Sequence, residues 1–487
     1  MPAETGYDWT LLAVLIAAMN LSLSVAVTIH AVLWKRDSRS VIGWVGLVWL
    51  VPLVGALSYW VLGINRIRRT ASRLSLGTTG AGQHCPTQIT EQAARSRDFL
   101  ASKYPALVGL ANAGRSLTGE RLLPGNDVVP LVDGDEAFPA MLDAIAHAER
   151  SVALLSYIFD FDRVGEPFVR ALADAVARGV EVRVLVDDVG SKYGRPNVVR
   201  KLKQQGVRVE AFLPTRLPRL PRYANMRNHR KILVVDGNMG FTGGTNIREG
   251  HTLALQPAYP VQCLHFCVTG PVVAHLQRVF AVDWYCAAGE QLRGDRWFPS
   301  LAPVGDIWAR GVEHGPDENF EKLPDLIAAA LATAQHRVRV LTPYFLPDPS
   351  LIRALTVAAM RGVAVEIYIP RENNIALVQW ASTAQLWQVL EKGCRVFSTP
   401  PPFDHTKLML VDQVWTLIGS TNWDPRSLRL NFEFNVECYG EAFAQNMNDI
   451  VDRKVAQAEE ITSDRINART FPVRLRDGLA RLFTPYL

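Results

Sequence analysis

Residues 228–236 read Asn-His-Arg-Lys-Ile-Leu-Val-Val-Asp and are followed at 243–246 by Gly-Gly-Thr-Asn. Residues 405–412 read His-Thr-Lys-Leu-Met-Leu-Val-Asp and are followed at 419–422 by Gly-Ser-Thr-Asn. Both stretches obey H-x-K-x4-D-x6-G-[GS]-x-N with identical spacing, which chance does not supply. The duplication extends outward. ALLSYIFD at 153–160 is echoed by VLTPYFLPD at 340–348, ARGVEVRVLVD at 177–187 by MRGVAVEIYIP at 360–370, and QGVRV at 205–209 by KGCRV at 392–396. Residues 166–178 and 349–361 carry apolar side chains at helical spacing, and each ends in Arg-Gly before a β-branched run. Strands alternating with helices of this length predict βαβ units and a mixed or mainly parallel sheet covered by helices. The fold class is α/β, with two α/β/α halves packed as an intrachain pseudo-dimer.

The repeated residues define a chemistry. His and Lys two positions apart on a strand share one face, while Ile232, Val234, Leu408 and Leu410 turn to the core. The glycines let backbone approach an anion, and Asn246 and Asn422 supply amide donors. Two copies bring two imidazoles, two ammonium groups and two amides to one pocket. That set suits a phosphodiester: cations and donors for the non-bridging oxygens, one His to attack and one to move protons. The candidate catalytic residues are His229, Lys231, Asp236, His405, Lys407 and Asp412, with Asn246 and Asn422 holding phosphate. Asp236 and Asp412 close an apolar strand at its turn and read as structural anchors. The lysines supply the charge a metal would, so no metal or cofactor is expected. Cys263, His265 and Cys267 share a strand face, but a spacing of ~6.6 Å between alternate residues makes them packing residues before metal ligands.

A chain of 487 residues with 48% hydrophobic and 20% charged residues is too long for one ordinary core and too apolar for disorder. Residues 11–34 and 40–63 contain no Asp, Glu, Lys or Arg, and each run exceeds the ~20 residues that span ~30 Å of hydrocarbon. Glu4 and Asp8, with no basic residue before the first run, argue against a secretory leader. Only residues 35–39 separate the runs, which predicts a transmembrane helical hairpin with both ends on one side. Arg66, Arg68, Arg69 and Arg73 at the exit outnumber Lys35, Arg36 and Arg39 in the loop, which leans the body to the cytoplasmic side of the inner (plasma) membrane. The net charge of +5 suits an anionic membrane as well as nucleic acid. Six cysteines without paired spacing point to a reducing compartment.

The expected organisation is a two-helix anchor at 1–65, a linker and juxtamembrane segment at 66–125 with a flexible stretch at 76–83, halves at 126–295 and 296–470, and an amphipathic tail at 471–487. Arg216, Arg219, Arg222 and Arg227 punctuate a proline-rich approach to the first motif, read as either a solvated loop or a headgroup contact. The tail mixes Arg474, Arg476 and Arg481 with Leu475, Leu479, Leu482 and Phe483, which fits interfacial docking or packing on the body.

At these residues the chain resembles the phospholipase D superfamily, and within it the bacterial cardiolipin synthases. Trp49–Gly63 looks like that family's membrane hairpin, residues 422–428 and 430–433 like its extension after the second motif, and 481–487 like its C-terminal end. The resemblance implies transfer between two phosphatidylglycerol molecules through a phosphatidyl-histidine, giving cardiolipin and glycerol. His229 would be the nucleophile and His405 the acid and then the base. Glu433 would orient His405. Where the family has an acid for the first half, this chain has Cys263, and its later acidic pair is altered to Arg248-Glu249-Gly250-His251, leaving Glu249 as a substitute. The expected partner is anionic phospholipid, phosphatidylglycerol, in the membrane, with no nucleic acid. A hydrolase of the same superfamily and a non-catalytic lipid binder are the alternatives, and the sequence fixes neither oligomeric state nor acceptor.

Overall fold

The computed structural model describes residues 9–35, 38–63, 99–214, 226–316 and 321–484. It forms two compact units that divide between Thr70 and Ala71. The exit arginines, the 76–83 stretch, and Arg216, Arg219 and Arg222 lie outside the described residues.

In the first unit, helix Trp9–Trp34 runs against helix Ser38–Leu50, and Leu11–Trp34 is long and apolar enough to cross a membrane, with a mean hydropathy of 2.2. The second run does not form one straight helix. It breaks at Val51, whose backbone leaves the helical region (φ −138°), and resumes as Pro52–Ser58 and Tyr59–Gly63. Pro52 explains the break, because it disfavours helical geometry in the residue before it and starts a new helix well. Polar side chains tie the hairpin. Ser24 Oγ donates to Val48 O at 3.2 Å, Trp49 Nε1 to Thr28 Oγ1 at 3.1 Å, and His30 Nδ1 meets Tyr59 Oη at 2.8 Å.

In the second unit, both halves repeat one strand order. From its outer edge inward, the first half runs Val209–Phe212, Glu181–Asp187, Ser151–Ser156, Ile232–Val235, Met239–Gly243, Leu264–Thr269 and Leu123–Val132. The second runs Arg395–Thr399, Ala364–Pro370, Arg337–Leu341, Leu408–Val411, Trp415–Gly419, Asn431–Tyr439 and Ile307–His314, with Glu459–Ile461 added outside. Three strands in each half are parallel and the rest antiparallel. The halves join edge to edge, Leu123 pairing with Ala309 and Asn126 with Ile307, so the pseudo-dimer is one continuous 16-stranded sheet among the described residues.

Local rules account for the repeated helices. Gly165–Ala177 and Pro349–Met360 each stop at Arg-Gly, where Gly179 (φ +89°) and Gly362 (φ +92°) adopt the left-handed conformation that ends a helix. Asp348 caps the second by accepting from Ser350 N and Leu351 N, both at 3.0 Å. Each half has its own apolar core, around Phe168, Leu172 and Val184 in the first and Leu326, Leu355 and Ile367 in the second. The strands Ile232–Val235 and Leu408–Val411 are buried throughout, as interior strands covered on both faces should be.

The segment expected as a linker at 66–125 is partly catalytic body. Leu100, Tyr104, Leu107 and Leu110 belong to the core of the second half, Phe99 stacks on Trp308 at 4.7 Å, and Leu123–Val132 is a central strand. Gly114 lets helix Val108–Thr118 close over the buried Arg310–Glu437 ion pair, where a Cβ would strike the guanidinium. The repeat concealed residues 99–118 because they have no counterpart in the other half.

Candidate active site

The two motifs meet across the junction. Period-two reasoning expects each His-x-Lys to lie within a ladder, but neither does. Residues 229–231 and 405–407 are irregular backbone leading into the strands Ile232–Val235 and Leu408–Val411. Each is held by the opposite half. Arg227–Asn228 pairs in parallel with the start of strand Asn431–Tyr439, and His229 N donates to Phe432 O at 2.9 Å. Symmetrically, Phe403–Asp404 pairs with Val261–Gln262, and His405 N donates to Gln262 O at 2.7 Å. The imidazole rings stand 6.5 Å apart, nearly perpendicular, in the wall of a cavity of about 970 Å³. Asn246, Asn422, Tyr157 and Tyr344 line the same cavity.

The exchange of backbone contacts reassigns the carboxylate. Sequence reading pairs Glu433 with His405, whereas His229 Nδ1 lies 3.0 Å from both oxygens of Glu433. Glu433 is fully buried and also accepts from Ser420 Oγ at 2.5 Å and Asn431 Nδ2 at 3.2 Å. Cys263, its counterpart by strand register, lies beside His405 instead, with Sγ 3.3 Å from His405 O. His405 Nδ1 faces Gly244 O at 3.1 Å. The half that lacks an acid is therefore the surrounding of His405. Glu249 does not substitute for it, being paired with Arg163 at 2.9 Å on the rim.

The glycines have a steric reason. Gly243 (φ +147°) and Gly419 (φ +153°) lie where L side chains rarely go, and a Cβ would meet His265 Cα at 2.8 Å or Phe434 O at 2.5 Å. A Cβ on Gly244 would meet Cys263 Sγ at 2.5 Å, whereas its counterpart Ser420 has a hydroxyl that donates to Glu433. The pairs Gly244/Cys263 and Ser420/Glu433 thus differ together.

Lys231 and Lys407 are buried, and each Nζ donates to the carbonyl of its own motif histidine at 2.7 Å. Burial lowers Lys231 to about 7 and Lys407 to about 8. Burial likewise pushes His229 down to about 4 against the opposing pull of Glu433, and His405 well below its ordinary value with Lys407 adding to the fall. Burial works against the charge of Glu433, but His229 and Lys231 hold it below the usual carboxylate range. Burial thus favours the neutral form of both rings and brings the lysines down towards neutral pH, where a nearby anion would favour their charged form. Asn246 Oδ1 accepts from Ile158 N at 3.3 Å, and Asn422 Nδ2 donates to Ser427 Oγ at 3.2 Å.

Asp236 and Asp412 do not enter the cleft, a correction to their place among the catalytic candidates. They sit at the far ends of the strands with φ +51° and +50°. Asp236 accepts from the amides of Glu149 (3.0 Å), Arg150 (2.7 Å) and Ser151 (2.9 Å). Asp412 does the same for Gln335 (2.6 Å), His336 (2.7 Å) and Arg337 (2.9 Å). Each pins the start of the neighbouring strand.

Sequence reasoning missed Arg230, the middle residue of the first motif. Its buried guanidinium binds Asp283 at 2.7 Å and Glu313 at 2.9 Å, and donates to Glu433 O at 3.1 Å, tying the halves together behind His229. It also missed Tyr157, 4.9 Å from the His229 ring, and Tyr344, 6.4 Å from His405, although both stand at one position of the repeat. His251 is a third imidazole in the cavity wall, 6.1 Å from His405. Among the described residues no group of three or more His, Cys, Asp or Glu is arranged to hold a metal ion.

Comparison with known proteins agrees with this architecture. The family described as "Cardiolipin synthase, PLD-like domain" matches residues 141–284 and 327–455, one block in each half. Cardiolipin synthase A of Pseudomonas fluorescens is 34% identical over 486 residues, covering 98% of both chains. Cardiolipin synthase of Staphylococcus aureus is 29% identical over 484 residues, covering 98% of this chain and 97% of that one. The crystal structure of phosphatidylserine synthase from Haemophilus influenzae shares the fold, with a TM-score of 0.60 at 14% identity over 78% of this chain and 100% of that chain. The chain belongs to the cardiolipin synthase family, whose catalytic domain is phospholipase D-like.

Proposed function

We propose that this protein is a membrane-anchored phosphatidyltransferase that makes cardiolipin and glycerol from two phosphatidylglycerol molecules through a phosphatidyl-histidine. The observation that carries the reading is the pair of imidazoles 6.5 Å apart, one bound by Glu433 and the other by a carbonyl, in a chain related over its whole length to cardiolipin synthases.

Glu433 accepts a hydrogen bond from the Nδ1–H of His229, so Nε2 holds the free lone pair and attacks phosphorus. The P–O bond to glycerol breaks, and the departing oxygen takes a proton from His405 Nε2. His405 acquires that proton when the phosphodiester anion enters, because a negative charge beside a buried imidazole favours its protonated form. Lys231 and Lys407 gain charge for the same reason and stabilise the non-bridging oxygens, with Asn246 and Asn422 as donors. The primary hydroxyl of a second phosphatidylglycerol then gives its proton to neutral His405 as its oxygen attacks phosphorus, and His229 leaves. One phosphodiester is exchanged for another, so bonds and charges balance without an added energy source.

Both helices of the hairpin enter the bilayer, with the catalytic unit on the cytoplasmic side. The reading is tested by giving detergent-purified protein phosphatidylglycerol liposomes and identifying products by mass spectrometry. Cardiolipin with glycerol in equal amounts is expected. Phosphatidic acid in place of cardiolipin would show that water resolves the intermediate, and no turnover would leave a lipid binder.

A further inference from the structure

The C-terminal helix Phe471–Arg481 is divided by the fold into an anchored face and a bare one. On the anchored face, Ala480 packs with Leu346, Val378 and Ala381, Asp477 is buried and paired with Arg469 and Arg476, and Gln385 Nε2 donates to Thr484 Oγ1 at 3.2 Å. On the bare face Phe471, Leu475, Leu479, Leu482 and Phe483 are 51–77% exposed. At 3.6 residues per turn these five fall within about 120° of arc. Arg474 and Arg481 flank that stripe on one side, and Arg476, over the Trp380 ring at 4.4 Å, flanks it on the other. An apolar stripe with cationic borders matches the boundary between acyl chains and anionic headgroups.

Position adds a second argument. The helix that carries this segment, Ala376–Thr383, is also a wall of the catalytic cavity: Val378 lines the cavity and belongs to the cluster that holds Ala480. Ile375, at the start of that wall, is 44% exposed. The C-terminal helix is therefore seated on an element that lines the cleft a lipid must enter.

We propose that Phe471–Phe483 is an interfacial docking helix that lays the mouth of the cleft on an anionic bilayer. The occupant is lipid rather than a second copy of the chain, because self-pairing would bring the same arginines to one seam. The hairpin tethers the protein, so this helix sets orientation and delivery rather than attachment. The inference rests on the lipid-substrate reading above.

Two measurements on the full chain in proteoliposomes of phosphatidylglycerol and phosphatidylcholine test it. With photoreactive benzoylphenylalanine in place of Leu479, irradiation should give a lipid adduct on the C-terminal peptide, and in place of Lys392 none. Failure to label lipid at 479, or labelling of a second protein chain, overturns docking whatever the activity. The triple variant Leu475→Glu, Leu479→Glu, Leu482→Glu should turn over bilayer phosphatidylglycerol at least about tenfold more slowly while keeping wild-type turnover of dihexanoyl-phosphatidylglycerol in solution. Equal turnover of both substrates by the variant and the wild type overturns the proposal. Lipid labelling at position 479, with a wild-type protein that turns over neither substrate, would uphold docking and sink the transferase reading instead.

Discussion

The two halves share a backbone and differ in what stands behind the histidine. His229 rests on a buried carboxylate that Ser420 and Asn431 also hold. His405 rests on a backbone carbonyl, with the thiol of Cys263 where a carboxylate would be. Duplication supplies symmetric positions, and divergence at Gly244/Cys263 makes them unequal. A carboxylate fixes a tautomer and stabilises the cation that forms when Nε2 bonds to phosphorus. A carbonyl fixes the tautomer without stabilising a lasting cation, which suits a ring that passes a proton on. The asymmetry supports the proposal that the nucleophile lies in the first half and the shuttle in the second.

The largest effect expected is from His229→Ala, which should lower cardiolipin formation by at least about 10⁴-fold with the fold intact by circular dichroism. Next, Glu433→Gln should cost about 100-fold in turnover, whereas Cys263→Ala should cost less than about threefold. Equal losses in these two variants would break the comparison. Third, Arg230→Met leaves Asp283 and Glu313 unpaired behind His229 and should destabilise the catalytic unit by ~3–5 kcal/mol, read as a fall in thermal midpoint. Asp236→Ala should lower the midpoint less, by ~2 kcal/mol, with little change in turnover per folded molecule.

The smallest effect is on pH dependence. Lysines with depressed values are charged below them and neutral above, and phosphate binding favours the charged form. Affinity for an inert phosphonate analogue, followed by calorimetry, should fall more steeply as pH rises through about 7 and 8, where both lysines lose charge, than below pH 7, where His405 alone takes up a proton on binding. Cys263→Asp places a carboxylate near Lys407, so it should move this fall to higher pH. An unchanged limb would mean that Cys263 does not stand electrostatically beside Lys407.

Much of this was legible in the sequence because duplication marks what a fold must keep. The two motifs, the Arg-Gly helix stops and the alternation of strands and helices all survive in both halves. The exchange of Glu433 from His405 to His229 was not legible, since it depends on strand Asn431–Tyr439 crossing to pair with Arg227–Asn228, a contact no local pattern encodes. Residues 99–118 were hidden for the opposite reason, having no twin. The break at Pro52 was visible as a residue but lost in a count of apolar length, which measures hydropathy and not helical continuity. The tail allowed two readings because it does two things, one face packing on the body and the other left bare.

The central claim is that the covalent intermediate forms on His229. It is tested most directly with a phosphatidyl ester of p-nitrophenol, whose leaving group needs no acid, mixed with the His405→Asn variant and quenched in base. The account predicts a burst of nitrophenolate equal to the protein present and a phosphatidyl adduct on residue 229 by peptide mass spectrometry. A burst that survives in His229→Asn, with the adduct on residue 405, would contradict it.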